Sequence, residues 1–398
     1  MRDAAMELAR AEPRLVRIAT AAEALGLSPR ELLHAGPPLA DPTRPPAPLR
    51  SAAVITALHE GWAASETQAE AMLAAGELKL SPAQARGCVT PLAAVVSAGT
   101  PLVEVVNGAN EGDGEAANEG AGEGTARAWA PLSPLGGPDT RMGHRDPAIL
   151  ARLADRDTRV APLLAGWLDA QGPLPLWPLA ARGLAEGDDL HSRTTQATAA
   201  LAEHAPPLLR AELLGTPLFF LTIWMAACAA MMRALEGLDQ PGWVTRAGGN
   251  GERFGIALAG RPERWHTVSA TAPEGWRLPT AAPGVAVCGA IGDSAVIDLL
   301  GLGGQRLAMA PEPLSVLAPV LPDGHAGIAA RLLRVPHPAL PGHWPLGLDA
   351  AALRGEDDRP LVCLAMIAAD GMHGLLGRGV WRVPAELLAD AASAAASG

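Results

Sequence analysis

The sequence predicts an α/β, or α+β, multidomain protein in which two α/β regions flank a helical one. Three observations predict it. Short β-branched runs alternate with helical stretches up to residue 140. Residues 146–238 read as helix throughout, and beyond residue 244 the pattern turns to short apolar runs framed by glycine. The boundaries that follow are 1–140, 141–240 and 241–398.

In the first region, residues 1–30 read as helix, stopped by Leu33-His34-Ala35-Gly36-Pro37-Pro38 and a proline-rich crossing to Pro48. Ser51–Ala75 reads as one long helix with a step at Gly61-Trp62. Glu77–Leu80, Ala93–Val96 and Leu102–Val106 read as strands. Residues 107–124 form an acidic, glycine-rich loop with no apolar side chain larger than alanine. Its composition fits a flexible linker; the alternative is a loop whose amides, with Asn118 and Glu119, cover a ligand. In the middle region, turns fall at Gly172-Pro173 and Pro206-Pro207. Leu218–Met232 is an apolar run closed by Arg233, too short for the roughly 20 residues a bilayer span needs, so it reads as a buried central helix. In the last region, Val244–Gly260, Val285–Cys288 and Leu307–Met309 read as strands, Leu361–Ala369 as strand or helix, and Gly371–Gly379 as a glycine-rich turn.

Composition narrows the function. With 49% apolar and 18% charged residues the chain folds, and a net charge of -11 argues against nucleic acid as a partner. Lys79 is the only lysine, and its setting reads as an ordinary strand. No phosphate-binding loop with its lysine is present, a lysine Schiff base is not indicated, and no dinucleotide fingerprint occurs, so no cofactor is expected. Cys88, Cys228, Cys288 and Cys363 are far apart with no Cys-x-x-Cys, so each reads as a small buried residue in a reducing, cytoplasmic setting. Residues 1–12 lack the apolar core of a signal peptide, and no membrane contact is expected.

Three polar clusters stand out. The first is Gly187-Asp188-Asp189-Leu190-His191-Ser192-Arg193-Thr194-Thr195. A helix starting at Asp188 would put that carboxylate and His191 on one face, an arrangement suited to general acid–base work. Equally, Asp188 could cap the helix, and Asp189 with Arg193 could form an exposed ion pair four residues apart. The second cluster is Thr245-Arg246-Ala247-Gly248-Gly249-Asn250-Gly251, in which Arg246 could grip a carboxylate or phosphate and Asn250-Gly251 signals a hairpin turn. The third, Gly292-Asp293-Ser294, opens an apolar helix and could serve as its cap or as an anion site.

The order of motifs carries more than any one of them. Leu33-His34-Ala35-Gly36-Pro37-Pro38, Glu60-Gly61-Trp62-Ala63, Asn118-Glu119-Gly120-Ala121-Gly122, Gly187 to Arg193, Phe219-Phe220-Leu221, Asn250-Gly251 with Phe254-Gly255-Ile256, and Gly292-Asp293-Ser294-Ala295 follow one another. The set resembles the AllG-type (YlbE-like) family, a subunit of oxamate carbamoyltransferase, from about residue 30 onward. The resemblance implies a cytosolic protein of three regions that works beside an FdrA-like subunit of acyl-CoA-synthetase type. It also implies a transferase acting on oxalurate, oxamate and carbamoyl phosphate in allantoin-nitrogen use. The chain departs from the family pattern at Glu123, at Thr194 and in Gly374–Gly379.

On this basis Asp188 and His191 are expected to orient and move a proton on the departing nitrogen, and Arg246 to clamp a substrate carboxylate. Asn250, Asn118, Glu119, Arg193, Asp293 and Ser294 are expected to complete the binding pocket. A homo-oligomer is compatible with this reading. Two alternatives stay open: a non-catalytic subunit that stabilises a catalytic partner, and a metal-dependent amide hydrolase with Asp188, His191 and Asp293 as ligands.

Overall fold

Alternation in the first 140 residues suggests parallel strands joined by helices, and one such unit is present. The strand Glu31–His34 pairs in parallel with Lys79–Pro82, Leu32 opposite Leu80, and the crossover carries the helices Ala47–His59 and Glu66–Ala74. Parallel strands require such a crossover. A computed structural model describes residues 3–108, 126–353 and 359–396; Asn118, Glu119 and most of the acidic stretch lie outside these.

The remaining sheets are antiparallel, so the fold is of the α+β kind. One sheet runs in the order Ala126–Pro131, Pro101–Asn107, Pro13–Thr20 and Leu174–Pro175. A second is a meander of Val244–Asn250, Arg253–Leu258 and Arg261–Ser269, extended by Ile291–Gly292. A third places Leu375–Arg382 between Glu274–Arg277 and Leu361–Ile367.

Several sequence expectations change. Residues 1–30 are not one helix: Ala4–Ala9 and Ala21–Leu25 are short helices around the strand Pro13–Thr20. Ser51–Ala75 divides at Glu60-Gly61, where Gly61 takes φ +70. Ala93–Val96 contributes a single bridge, from Val96 to Leu33, rather than a strand. Leu307–Met309 is a 3₁₀ turn, and the glycine-rich 371–379 segment becomes a strand from Leu375.

The helix Phe219–Arg233 forms as expected, and every residue from Phe219 to Met232 is buried. A helix apolar on all sides has no face for water and must be enclosed. The antiparallel strands Pro101–Asn107 and Ala126–Pro131 cover one side, and the short helix Ala295–Leu300 and the strand Val244–Asn250 cover another. Trp224 stacks on Phe220 at 5.7 Å and meets Trp177 edge-on at 5.2 Å, the geometries aromatic rings prefer. Among the described residues no single helix is long and apolar enough to cross a membrane; Pro207–Leu214 and Phe219–Arg233 pass that test only together, bent by 91°.

Candidate active site: two centres flanking one short helix

The turn after the helix Trp177–Ala185 carries the first cluster. The next helix begins at Thr195, not at Asp188, so Asp188 and His191 do not share a helix face. Asp188 acts as a cap from a distance: its Oδ2 accepts the Gln196 and Ala197 N–H groups, both at 2.9 Å. The Arg193 guanidinium lies 3.1 Å from Oδ1. Burial pushes the Asp188 carboxyl up to about 6, against those N–H groups and Arg193. Asp189 is fully buried rather than paired at the surface. Its Oδ1 accepts the N–H of His191 at 3.1 Å and of Arg193 at 2.8 Å, while Oδ2 faces the Ser192 hydroxyl and the Cys363 thiol, 3.8 Å away.

The partner of His191 is Asp298. Their Nδ1 and Oδ2 are 2.7 Å apart, Asp298 is fully buried and His191 is 6% exposed. Burial works against a charged ring, but the charge and hydrogen bond of Asp298 outweigh it and raise the imidazole above its usual value. With Nδ1 engaged, Nε2 is the ring nitrogen left for a ligand or a proton. Asp298 Oδ1 accepts the N–H of Gly304 at 2.7 Å and of Cys363 at 3.2 Å. His191, Asp298 and Cys363 bring one ligating atom each within 4.8 Å of one another.

Asp293 organises the second centre. It does not cap the helix Ala295–Leu300, and neither does the Ser294 side chain, which makes no capping bond. Instead Asp293 Oδ1 accepts from Gly36 N–H at 2.8 Å and Gln84 Nε2 at 2.6 Å, and Oδ2 from Thr90 N–H at 2.9 Å and Thr90 Oγ1 at 3.4 Å. Burial pushes this carboxyl up to about 7 against all four donors. Gln84 also donates to Ala247 O at 2.8 Å, tying the hub to the hairpin strand. Asn250 sits at the turn of that hairpin: Oδ1 accepts the Glu252 and Arg253 N–H groups, and Nδ2 donates to Pro37 O at 2.9 Å. Its polar atoms are therefore spent on folding the loop rather than presented to a ligand. Gly36 takes φ +76 and an added Cβ would stand 2.5 Å from the Gly249 carbonyl carbon, so only glycine fits there.

Arg246 leaves the same strand two positions before Gly248, on the face that meets Asp293. Its Nε binds Glu236 Oε1 at 3.0 Å, and Arg233 NH1 lies 3.9 Å from Glu236 Oε2. Two guanidinium groups thus share one carboxylate, a surplus of positive charge, with the Arg233 group lying against Gly87. Such a surplus suits a small anion.

The structure therefore brings Arg246, Asn250 and Asp293 around one hub. His191, with Asp188 and Arg193 close by in sequence, meets the helix Ala295–Leu300 at Asp298, five positions beyond Asp293. Two buried leucines mark the two centres: Leu92 at φ +48 and Leu190 at φ +67, a conformation a branched side chain adopts only under constraint. Sequence reasoning misses Asp298, Cys363, Gln84, Arg233 and Glu236. Asp298 leaves a trace, a lone carboxylate in Ala-Val-Ile-Asp-Leu-Leu. Cys363, inside an apolar strand, leaves none.

Fold and site together describe an α+β protein with a buried acid–imidazole centre and an arginine pair flanking one short helix. The family described as oxamate carbamoyltransferase subunit AllG matches residues 78–294, more than half of the chain. Oxamate carbamoyltransferase subunit AllG of Escherichia coli (strain K12) is 30% identical over 301 residues, covering 71% of this chain and 67% of that one. The chain belongs to the AllG family. The uncharacterised protein YahG of the same organism is 25% identical over 381 residues, 90% of this chain and 77% of that one. A crystal structure of a conserved protein of unknown function from Enterococcus faecalis V583 superposes with a TM-score of 0.87 at 21% identity, over 99% of this chain and 96% of that one, which shows a common fold.

Proposed function

We propose that this chain is a subunit of a carbamoyl-transferring enzyme acting on a small carboxylate-bearing amide or ureido acid, of the oxamate and oxalurate kind. The observation that carries the reading, within a family of oxamate carbamoyltransferase subunits, is the buried His191–Asp298 pair at 2.7 Å. Asp298 holds the ring so that Nε2–H can donate its proton to a departing nitrogen and, in the carbamoylating direction, Nε2 can take the proton that nitrogen loses. Asp188 and Asp189 brace the turn that presents His191. Arg246, with Arg233, offers a carboxylate-binding pair at the second centre, apart from His191, and Asp293, through Gln84, with Asn250 fixes the strand that carries Arg246.

The chain has no phosphate-binding lysine loop, so an FdrA-like subunit of acyl-CoA-synthetase type supplies the rest of the centre, in the cytoplasm. The test is reconstitution. The chain alone should be nearly inert toward oxamate with carbamoyl phosphate, and activity should appear when an FdrA-like partner is added. Robust turnover by the isolated chain would refute the subunit role. A tight complex without turnover would favour a non-catalytic assembly subunit.

A further inference from the structure

We propose that His191, Asp298 and Cys363, with Asp189 behind the sulfur, form a binding site for one divalent transition-metal ion of the zinc class. The four residues come from three separate parts of the chain and none is more than 6% exposed. One imidazole nitrogen, carboxylate oxygens and one thiol make a mixed nitrogen, oxygen and sulfur set, which zinc-class ions accept and magnesium or calcium do not.

The carboxylates are already oriented for it. Asp298 rests Oδ1 on the N–H groups of Gly304 and Cys363 and turns Oδ2 toward His191. Asp189 is held in a similar way, with Oδ1 on the N–H groups of His191 and Arg193 and Oδ2 between the Ser192 hydroxyl and the Cys363 thiol. An outer ring of backbone donors that fixes one carboxylate oxygen and frees the other is the way ligating carboxylates are commonly held. Charge points the same way. Three groups able to carry a negative charge surround one imidazole, while the nearby Arg193 guanidinium lies against Asp188 instead. The ligating atoms of His191, Asp298 and Cys363 lie within 4.8 Å of one another, a spacing from which they can close around one ion. The 2.7 Å between His191 Nδ1 and Asp298 Oδ2 would open to about 3.3 Å as the ion replaced their shared proton. Nε2–H of His191 would still point away from the ion and could donate a hydrogen bond to the substrate nitrogen, so the site rests on the transfer reading only for its role in turnover.

The experiment uses the full chain without an affinity tag, stripped with chelator and then titrated with Co²⁺ or Zn²⁺. One ion per chain should bind, cobalt should show a sulfur-to-metal charge-transfer band in the near ultraviolet, and the melting temperature should rise on metal addition. Cys363→Ala should lose the band, and the isosteric Asp189→Asn should weaken binding about tenfold or more. Cys363→Ser, with near-ultraviolet circular dichroism of each variant, guards against a misfolded protein being taken for a ligand loss. No uptake of either ion by the folded chain, or uptake that Cys363→Ala leaves unchanged, would overturn the site. A metal-free complex that still transfers carbamoyl groups would remove the metal's role in turnover and leave the transfer reading intact. Metal binding by a chain inert with every partner would leave the site standing and remove the transfer reading.

Discussion

Replacing Asp293 by asparagine changes one oxygen to an amide and nothing else in shape, so the consequence can be worked out in advance. Four donors converge on this carboxylate: Gly36 N–H, Gln84 Nε2, Thr90 N–H and Thr90 Oγ1. The introduced amide would have to turn its NH₂ toward either the Gly36 and Gln84 donors or the Thr90 amide. The better choice leaves Thr90 N–H facing a donor, a loss of about 1–3 kcal/mol for one buried orphan. Asp293→Ala orphans both amides and Gln84 together and should cost more. The pH dependence has a definite sign. The folded carboxyl sits up at about 7 through burial, against an ordinary value of 3.8. A group whose folded value is raised contributes stability that is fully present below 3.8 and is lost as pH rises through about 7. The gap between wild type and Asp293→Asn should therefore widen on acidification from pH 7 toward pH 4, by at most about 1.4 kcal/mol per pH unit. Urea denaturation of both proteins across that range, with hydrogen exchange at Gly36 and Thr90, measures it. A gap that narrows on acidification would mean that the four donors hold the anion below its ordinary value, and would refute the argument from burial.

Three further outcomes are expected. His191→Ala should abolish transfer by the reconstituted complex, with a loss of roughly 100-fold or more, while assembly on a sizing column is unchanged; unaltered turnover would take His191 out of the chemistry. Arg246→Lys should raise the Kd for a small carboxylate substrate about tenfold with a melting temperature close to wild type, because an ammonium cannot reproduce the guanidinium fork; equal losses of binding and stability would make Arg246 structural. Gly36→Ala should lower the melting temperature markedly, since its Cβ would stand 2.5 Å from the Gly249 carbonyl carbon at φ +76; a calorimetric scan matching wild type would show that the two loops can separate without cost.

What the sequence reveals and what it hides have physical reasons. The helix Phe219–Arg233 is legible because an unbroken apolar run too short for a bilayer has few other fates. The hairpin at Asn250-Gly251 is legible because its turn chemistry is local, and Gly251 takes φ +89 as that turn demands. Pro13–Thr20 is hidden because its partner, Pro101–Asn107, lies more than 80 positions away and local propensity cannot register such a pairing. Polar crowding singles out 187–195, but not which carboxylate meets the imidazole. Asp188 is three residues from His191 and binds backbone instead; Asp298, from another element, makes the contact. Asn118 and Glu119 lie outside the described residues, so their expected part in the pocket remains a proposal.

The wholly enclosed helix Phe219–Arg233 also constrains how the protein can be made. Its covers arrive at different times during translation: Pro101–Asn107 and Ala126–Pro131 leave the ribosome before it, Val244–Asn250 and Ala295–Leu300 after it. Until Leu300 is polymerised, one flank of this helix, whose fourteen residues from Phe219 to Met232 are all buried in the finished fold, lacks its full cover. At ribosomal speeds of ~5–20 residues per second, the roughly 70 residues still to come keep that flank naked for about 3–13 seconds. That interval is long against hydrophobic collapse and gives chaperones a defined window. Nascent chains stalled near residue 270 should crosslink to them more strongly than chains stalled near residue 390. Equal crosslinking at both lengths would mean that the helix finds shelter before its later covers exist.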